Sequence, residues 1–310
     1  MSPNKTNTLK GQILYISHGG GPLPILGDSG HVKMVEFMKY LPKLLKKPEV
    51  IVVVSAHWEE QVVTVLSSPN PKLTYDYYGF PKEAYEIRYP APGNPEFASK
   101  IVSLLNRCEI KSNLDNERGF DHGLYIPLML MYPDADIPSI EISLAKGLDP
   151  SFHFEIGNAL SELMNENVLV IGSGFSFHNM KEFIWDESKR EDKANDFFQD
   201  WLIKTCIQSV PLYERKEQLA NWEHAPSARY CHPREEHLLP LHVCAGIAGE
   251  SMQATKVFDD YILGKRAIGF LWKRRGQVFY FKSVEIKKYL PDPVFFLPIF
   301  HYRSLFKKIF

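Results

Sequence analysis

The sequence predicts an α/β fold, a single domain with a central mixed, largely parallel sheet flanked by helices. Two observations carry that expectation. Short runs rich in β-branched residues, at 12–17, 50–55 and 168–171, alternate with stretches of helical periodicity. At 310 residues, 45% hydrophobic and 24% charged, the chain is long enough for one large core, and no internal repeat, low-complexity tract or linker divides it.

Taken in order, residues 12–17 read as a buried strand. Residues 32–45 follow with helical spacing, Met34, Met38, Leu41 and Leu45 sharing one face, and Pro42 marking a kink or an end. Strands are expected at 50–55 and 62–67. The aromatic, proline-rich stretch 75–93 is too irregular for one element; a loop of that length in a compact domain is usually functional or disordered, and its aromatic content argues against disorder. Helices are expected at 95–105 and 124–131, the second ending before Tyr132-Pro133-Asp134. Residues 137–143 and 168–171 read as core strands with a helix at 152–164 between them. An amphipathic helix at 192–208, a helix at 235–249 and a closing strand at 267–272 complete a domain spanning 11–275. The remainder, 276–310, is a divergent C-terminal extension. Its Phe295, Phe296, Ile299 and Phe300, with Arg303 and Lys307 nearby, fit an arm packed on the domain or a neighbouring subunit better than a basic amphipathic membrane contact.

Charge excludes several classes. Lys and Arg (36) nearly balance Asp and Glu (37), so no global field favours nucleic acid. The four cysteines are far apart without a C-x-x-C pair, which argues for buried free thiols rather than disulfides or a cysteine-rich zinc site. The N-terminus shows no apolar leader, and no apolar run reaches the roughly 18 residues of a transmembrane segment. A cytoplasmic location is expected, and a homo-oligomer is left open.

Histidines carry the chemistry. Four segments place one where a strand runs out: Ser17-His18-Gly19-Gly20-Gly21, Ser55-Ala56-His57-Trp58, Phe120-Asp121-His122-Gly123 and Phe177-His178-Asn179. A fifth, His237, is expected in the first turn of its helix, after Pro233, where the helix N-terminus disfavours imidazolium. Ligands of open α/β sheets lie beyond the carboxyl ends of strands. Neutral imidazole is the commonest protein metal ligand and titrates near neutrality, so such a gathering points to a metal site with its own acid–base group. His31, His153, His224, His232, His242 and His301 lack this setting and read as structural or surface residues.

Two other readings fail on spacing. His18-Gly19-Gly20-Gly21 matches the oxyanion loop of esterases, but neither Ser173 nor Ser176 has the required G-x-S-x-G frame. His242 lies five residues after His237, about 140° away on a helical wheel, so the pair cannot act as the histidines of H-E-x-x-H do.

Together these segments, with Gly79-Phe80-Pro81, Tyr89-Pro90-Ala91-Pro92-Gly93, Met131-Tyr132-Pro133-Asp134 and Glu236-His237-Leu238-Leu239-Pro240, resemble the class III extradiol ring-cleavage dioxygenases, in their 4,5-DOPA dioxygenase-like branch. The similarity covers about residues 11–270. The resemblance implies one divalent metal per chain at the C-terminal edge of the strands, Zn²⁺ or non-haem Fe²⁺, with iron expected for oxygen chemistry. It carries His18, His57 and His237 over as ligands, His178 as acid–base residue or fourth ligand, and His122 as a second catalytic histidine. It also implies a catechol substrate, DOPA-like, and O₂. Glu235 and Glu236 stand as alternative carboxylate ligands, and the ending after residue 268 departs from the family. Tyr77, Tyr78, Phe80 and Tyr85 either stack on the substrate or pack the loop. A zinc hydrolase using the same histidines and a non-enzymatic binding scaffold are the alternatives.

Overall fold

The computed structural model describes residues 10–185, 191–207 and 211–274. The expected C-terminal arm and His301 lie outside them. In chain order the elements are β1 (Gln12–Ser17), α1 (Val32–Tyr40), β2 (Val50–Glu60), β3 (Val63–Leu66), α2 (Pro95–Arg107), β4 (Ser112–Asp115), α3 (His122–Met131), β5 (Ser139–Ala145), α4 (Pro150–Ala159), β6 (Val168–Gly174), α5 (Lys193–Ile207), α6 (Leu212–Ala220), α7 (Ala228–Cys231), α8 (Leu239–Ala248), β7 (Met252–Ile262) and β8 (Lys265–Arg274). The strands form one sheet in the order β4-β3-β5-β2-β6-β1-β8-β7. Its centre, β5-β2-β6-β1, is parallel throughout, while β3 on β5, β8 on β1 and β7 on β8 are antiparallel. The mixed, largely parallel sheet is as expected.

Parallel strands covered on both faces read as continuous apolar runs, and Val50 to Val54, Ser139 to Ala145 and Val168 to Gly174 are buried without interruption. Each Val, Ile or Leu so buried contributes roughly 1.5–3 kcal/mol. Successive residues of β6 reveal the two layers. A side chain at Gly172 would meet Pro240 and Cys244 of α8, whereas Ser173 Oγ donates to the Gly123 carbonyl of α3. Hence α8, backed by α4, and α3 lie on opposite faces.

Local chemistry sets the helix ends. Asn94 caps α2 through the Phe97 N–H (3.0 Å), with Pro95 following, and Asp149 caps α4 through Phe152 N–H (2.8 Å). Asp121 accepts from Gly123 N–H (2.9 Å), so α3 starts at His122, two residues earlier than expected. Pro42 ends rather than kinks α1: Leu41–Leu44 is a 3₁₀ turn. Likewise α4 stops at Ala159 before the 3₁₀ turn Ser161–Asn165.

Three expectations need correction at the site itself. His122 does not follow a strand, since β4 ends at Asp115 and His122 opens α3. His57 does not follow a strand; β2 continues through it to Glu60, with a register shift between Val54 and Glu59. His237 is not in a helical turn, because α8 begins at Leu239 and its first-turn proline is Pro240, not Pro233. Strands β4 and β7 and helices α6 and α7 escaped the sequence reading. Among the cysteines, Cys206, Cys231 and Cys244 are buried free thiols as expected, but Cys108 is exposed. Among the described residues no helix is long and apolar enough to cross a membrane.

Candidate metal centre

His18 follows β1 directly, and its backbone N–H donates to Gly174 O (3.1 Å), extending the β1/β6 ladder by one residue. Ser173 spends its hydroxyl proton on Gly123 O, so its oxygen accepts from His18 Nδ1–H at 3.0 Å. That fixes the tautomer and leaves Nε2 bare. His57 is turned out of the bulged strand β2 with its backbone N–H bound to Ser55 Oγ (3.1 Å), and its Nδ1 faces Asp76 Oδ2 at 3.5 Å. His237 sits in the turn ahead of α8, its Nδ1–H donating to Glu236 Oε1 at 2.9 Å. The three Nε2 atoms converge, with His18 to His57 at 2.9 Å and His57 to His237 at 3.3 Å.

Burial holds all three rings neutral. It pushes His18 and His237 well below the ordinary imidazole value, and brings His57 down to about 3 with help from the neighbouring His122. The neutrality of His237 therefore comes from desolvation and not from the expected helix terminus. Three convergent lone pairs repel unless a cation sits between them. A metal with nitrogen bonds of about 2.1 Å separates its ligands by about 3.0 Å at right angles and about 3.4 Å tetrahedrally. The observed spacing and the neutral nitrogen donors both fit a divalent ion of the zinc or iron kind.

Two carboxylates organise the outer ring. Asp76 accepts from His122 Nδ1–H (2.8 Å) and His122 N–H (3.1 Å) as well as facing His57. Burial would raise its carboxyl, but those histidine contacts bring it down to about 2. Glu236 Oε1 takes both His237 Nδ1–H and His178 Nδ1–H, the latter at 3.2 Å. Here too burial opposes ionisation, and the two imidazole hydrogen bonds hold the carboxyl well below its usual range. Both roles went unread in the sequence. Glu236 is thus occupied beside the histidines, and Glu235 is tied to Arg229 at 2.6 Å.

The structure brings together all five histidines singled out in the sequence. His178 stacks on His237 (centroids 3.4 Å apart, 17° between planes), and His122 lies against His57 (3.9 Å). Two ligand-capable groups result, His18/His57/His122 and His178/Glu236/His237, each with its donor atoms within 4.8 Å of one another. The others stand apart. His31 accepts from Gly20 N–H (3.0 Å) and donates to Asp28 (2.9 Å), bracing the glycine-rich loop. His153, His232 and His242 are buried and bonded to backbone, and His224 is exposed. A cavity of about 230 Å³ opens over the imidazoles. Tyr77, Tyr78 and Phe80 line it; Tyr85 does not, and lies instead 3.4 Å from the Phe80 N–H it accepts.

Comparison with known proteins bears on this arrangement. The family described as the catalytic LigB subunit of aromatic ring-opening dioxygenase matches residues 25–270. The chain belongs to the LigB family of class III extradiol dioxygenases. Enzymes of the LigB family are metal-dependent, and the family implies an aromatic substrate and O₂. The chain is 36% identical over 264 residues to a 4,5-DOPA dioxygenase extradiol of Beta vulgaris, covering 83% of this chain and 94% of that protein. It is 35% identical over 278 residues to dioxygenase tasH of Hapsidospora irregularis, 84% of this chain and 85% of the other. The crystal structure of an uncharacterized protein, JW3007, from Escherichia coli K12 superposes with a TM-score of 0.68 at 27% identity, over 84% of this chain and 98% of that one. These relatives support dioxygenase activity for this LigB-family chain.

Proposed function

We propose that this chain is a metal-dependent extradiol dioxygenase that inserts both atoms of O₂ into a catechol ring, giving a muconic-semialdehyde-type product. The observation that carries the reading is the convergence of three neutral Nε2 atoms, those of buried His18 and His237 and half-buried His57, at the floor of a cavity suited to one substituted ring. His18, His57 and His237 hold the metal. When bound, a divalent iron would anchor the catechol oxygens and share electrons with O₂, which redox-inert zinc cannot do; isolated protein can carry zinc and still need iron for turnover.

The chain's own residues do the rest. Holding ring and oxygen side by side removes much of the entropic cost of their meeting. His178, its Nδ1–H fixed on Glu236, presents Nε2 as the base that takes a phenolic proton and later returns one. His122, anchored through Nδ1 on Asp76, presents Nε2 to the same space as a second proton-handling group. Relatives named for DOPA make it the reference substrate.

The test is anaerobic reconstitution with Fe²⁺ or Zn²⁺ followed by oxygen uptake with a catechol panel. Uptake with iron alone is expected; none with any catechol would sink the reading. His57→Ala and His237→Ala should each abolish metal retention in elemental analysis of the purified protein.

A further inference from the structure

Two unlike sets of residues line the cavity. Its floor is the imidazole cluster; beyond the Gly19-Gly20-Gly21 loop its wall is Phe80, Phe175, Met180, Phe183, Trp185 and Leu263. The rings brace one another, with Phe175 to Phe183 at 5.4 Å, Phe183 to Trp185 at 6.1 Å and Tyr77 to Phe80 at 5.2 Å. Tyr77 offers the cavity its ring rather than a hydroxyl, since its O–H donates to Ala84 O (2.6 Å) and accepts from Tyr125 (2.9 Å). Among the described lining residues the ionisable groups are the five histidines, Asp76 and the phenols Tyr77 and Tyr78; none is a lysine or an arginine, and Asp76 is already shared between His122 and His57.

A catechol bearing an amino-acid side chain would bring a carboxylate and an ammonium against this wall, and burying charge without a partner is strongly unfavourable. An apolar substituent gains instead, by roughly fourfold in affinity per buried methylene. We propose that the substrate is a catechol with an uncharged, apolar substituent, a short alkyl chain or a second aryl ring, seated against Phe80, Phe183 and Trp185. The proposal rests on the dioxygenase reading and departs from the DOPA-like expectation at the substituent alone.

The experiment compares catechol, 4-butylcatechol, 4-phenylcatechol, DOPA and 3-(3,4-dihydroxyphenyl)propionate on the full chain reconstituted with Fe²⁺, by oxygen uptake. A parallel arm titrates each compound into Zn²⁺-loaded protein by tryptophan fluorescence, which needs no turnover. Butyl- and phenylcatechol should exceed DOPA and the propionate about tenfold in kcat/KM and in affinity. Met180→Arg, which sets a cation in the wall, should shift the preference about tenfold toward the propionate. Phe183→Ala should cut the butyl-to-catechol ratio at least threefold. A ranking led by the charged catechols, or one that Met180→Arg and Phe183→Ala leave unmoved, overturns the proposal. No uptake with any catechol overturns the dioxygenase reading instead, and the zinc-loaded affinity ranking then decides the substituent on its own.

Discussion

At Asp76 and at Glu236 one carboxylate serves two imidazoles, and this pairing sets the direction of four rings. Such outer carboxylates commonly matter about 10–100-fold in metal affinity or activity. Asp76→Asn should therefore weaken metal binding by about that factor in competition with a chelating dye, while the fold, followed by circular dichroism, stays intact. His178→Ala should retain its metal and lose kcat by about 10²–10⁴-fold, as expected of a proton-transfer group; loss of the metal from that variant would make His178 a ligand. Four of the histidines were legible because each stands beside a strand-like run or a glycine-rich turn, and His237 because it stands at the head of a helical run. Asp76 was not, since its partner His122 lies 46 residues away and nothing local marks the contact.

Strand β6 and the turn before α8 decide where His237 stands. A Cβ at Gly174 would lie 2.1 Å from the His237 carbonyl oxygen, and one at Gly172 would lie 2.7 Å from that of Pro240. These two glycines let the turn abut the strand, and Phe175 N–H donates to His237 O at 3.0 Å across the junction. Tyr15 O–H donates to the same oxygen at 3.1 Å. With that carbonyl committed elsewhere the helical ladder starts only at Leu239, although helix-like turns at Leu238 and Leu239 back to Glu235 already exist. This is why the sequence pattern ran four residues too far. Gly174→Ala should cost about 1–3 kcal/mol in urea unfolding by overpacking, and should lower metal content along with it. The reading missed β7 for a different reason. Buried Met252, Ala254, Phe258 and Ile262 keep a period of two, but Lys256 and Asp260 stand between them at the same parity, so the apolar alternation is interrupted.

Across the whole molecule, stability should fall on the acid side through paired carboxylates that do not line the cavity. Burial opposes ionisation of Asp192, but hydrogen bonds from Lys265, Asn195 N–H and Tyr230 outweigh it and lower the carboxyl below 3.8. Asp259 is likewise lowered, with burial outweighed by Arg266 and Lys256. Because the folded values lie below the unfolded ones, this stabilisation is complete above the unfolded carboxyl range. It is lost as the pH falls through the folded values. Urea midpoints measured from pH 6 to pH 2 should drop along that limb, and Asp192→Asn should flatten it; an unchanged limb would show that these pairs add nothing.

By itself the sequence determined the fold class, the parallel centre of the sheet and the histidines that gather beyond it. Strand and helix periodicity, glycines after strands and residue identity act over a few neighbouring positions, and all are written in order along the chain. Only the tertiary structure decided which carboxylates orient those histidines, where α8 begins, and that the wall over the imidazoles is aromatic and apolar. Those features join Asp76 to His122, Gly174 to His237 and Gly21 to Phe80. They arise from packing between distant segments, whose close approach no local pattern encodes.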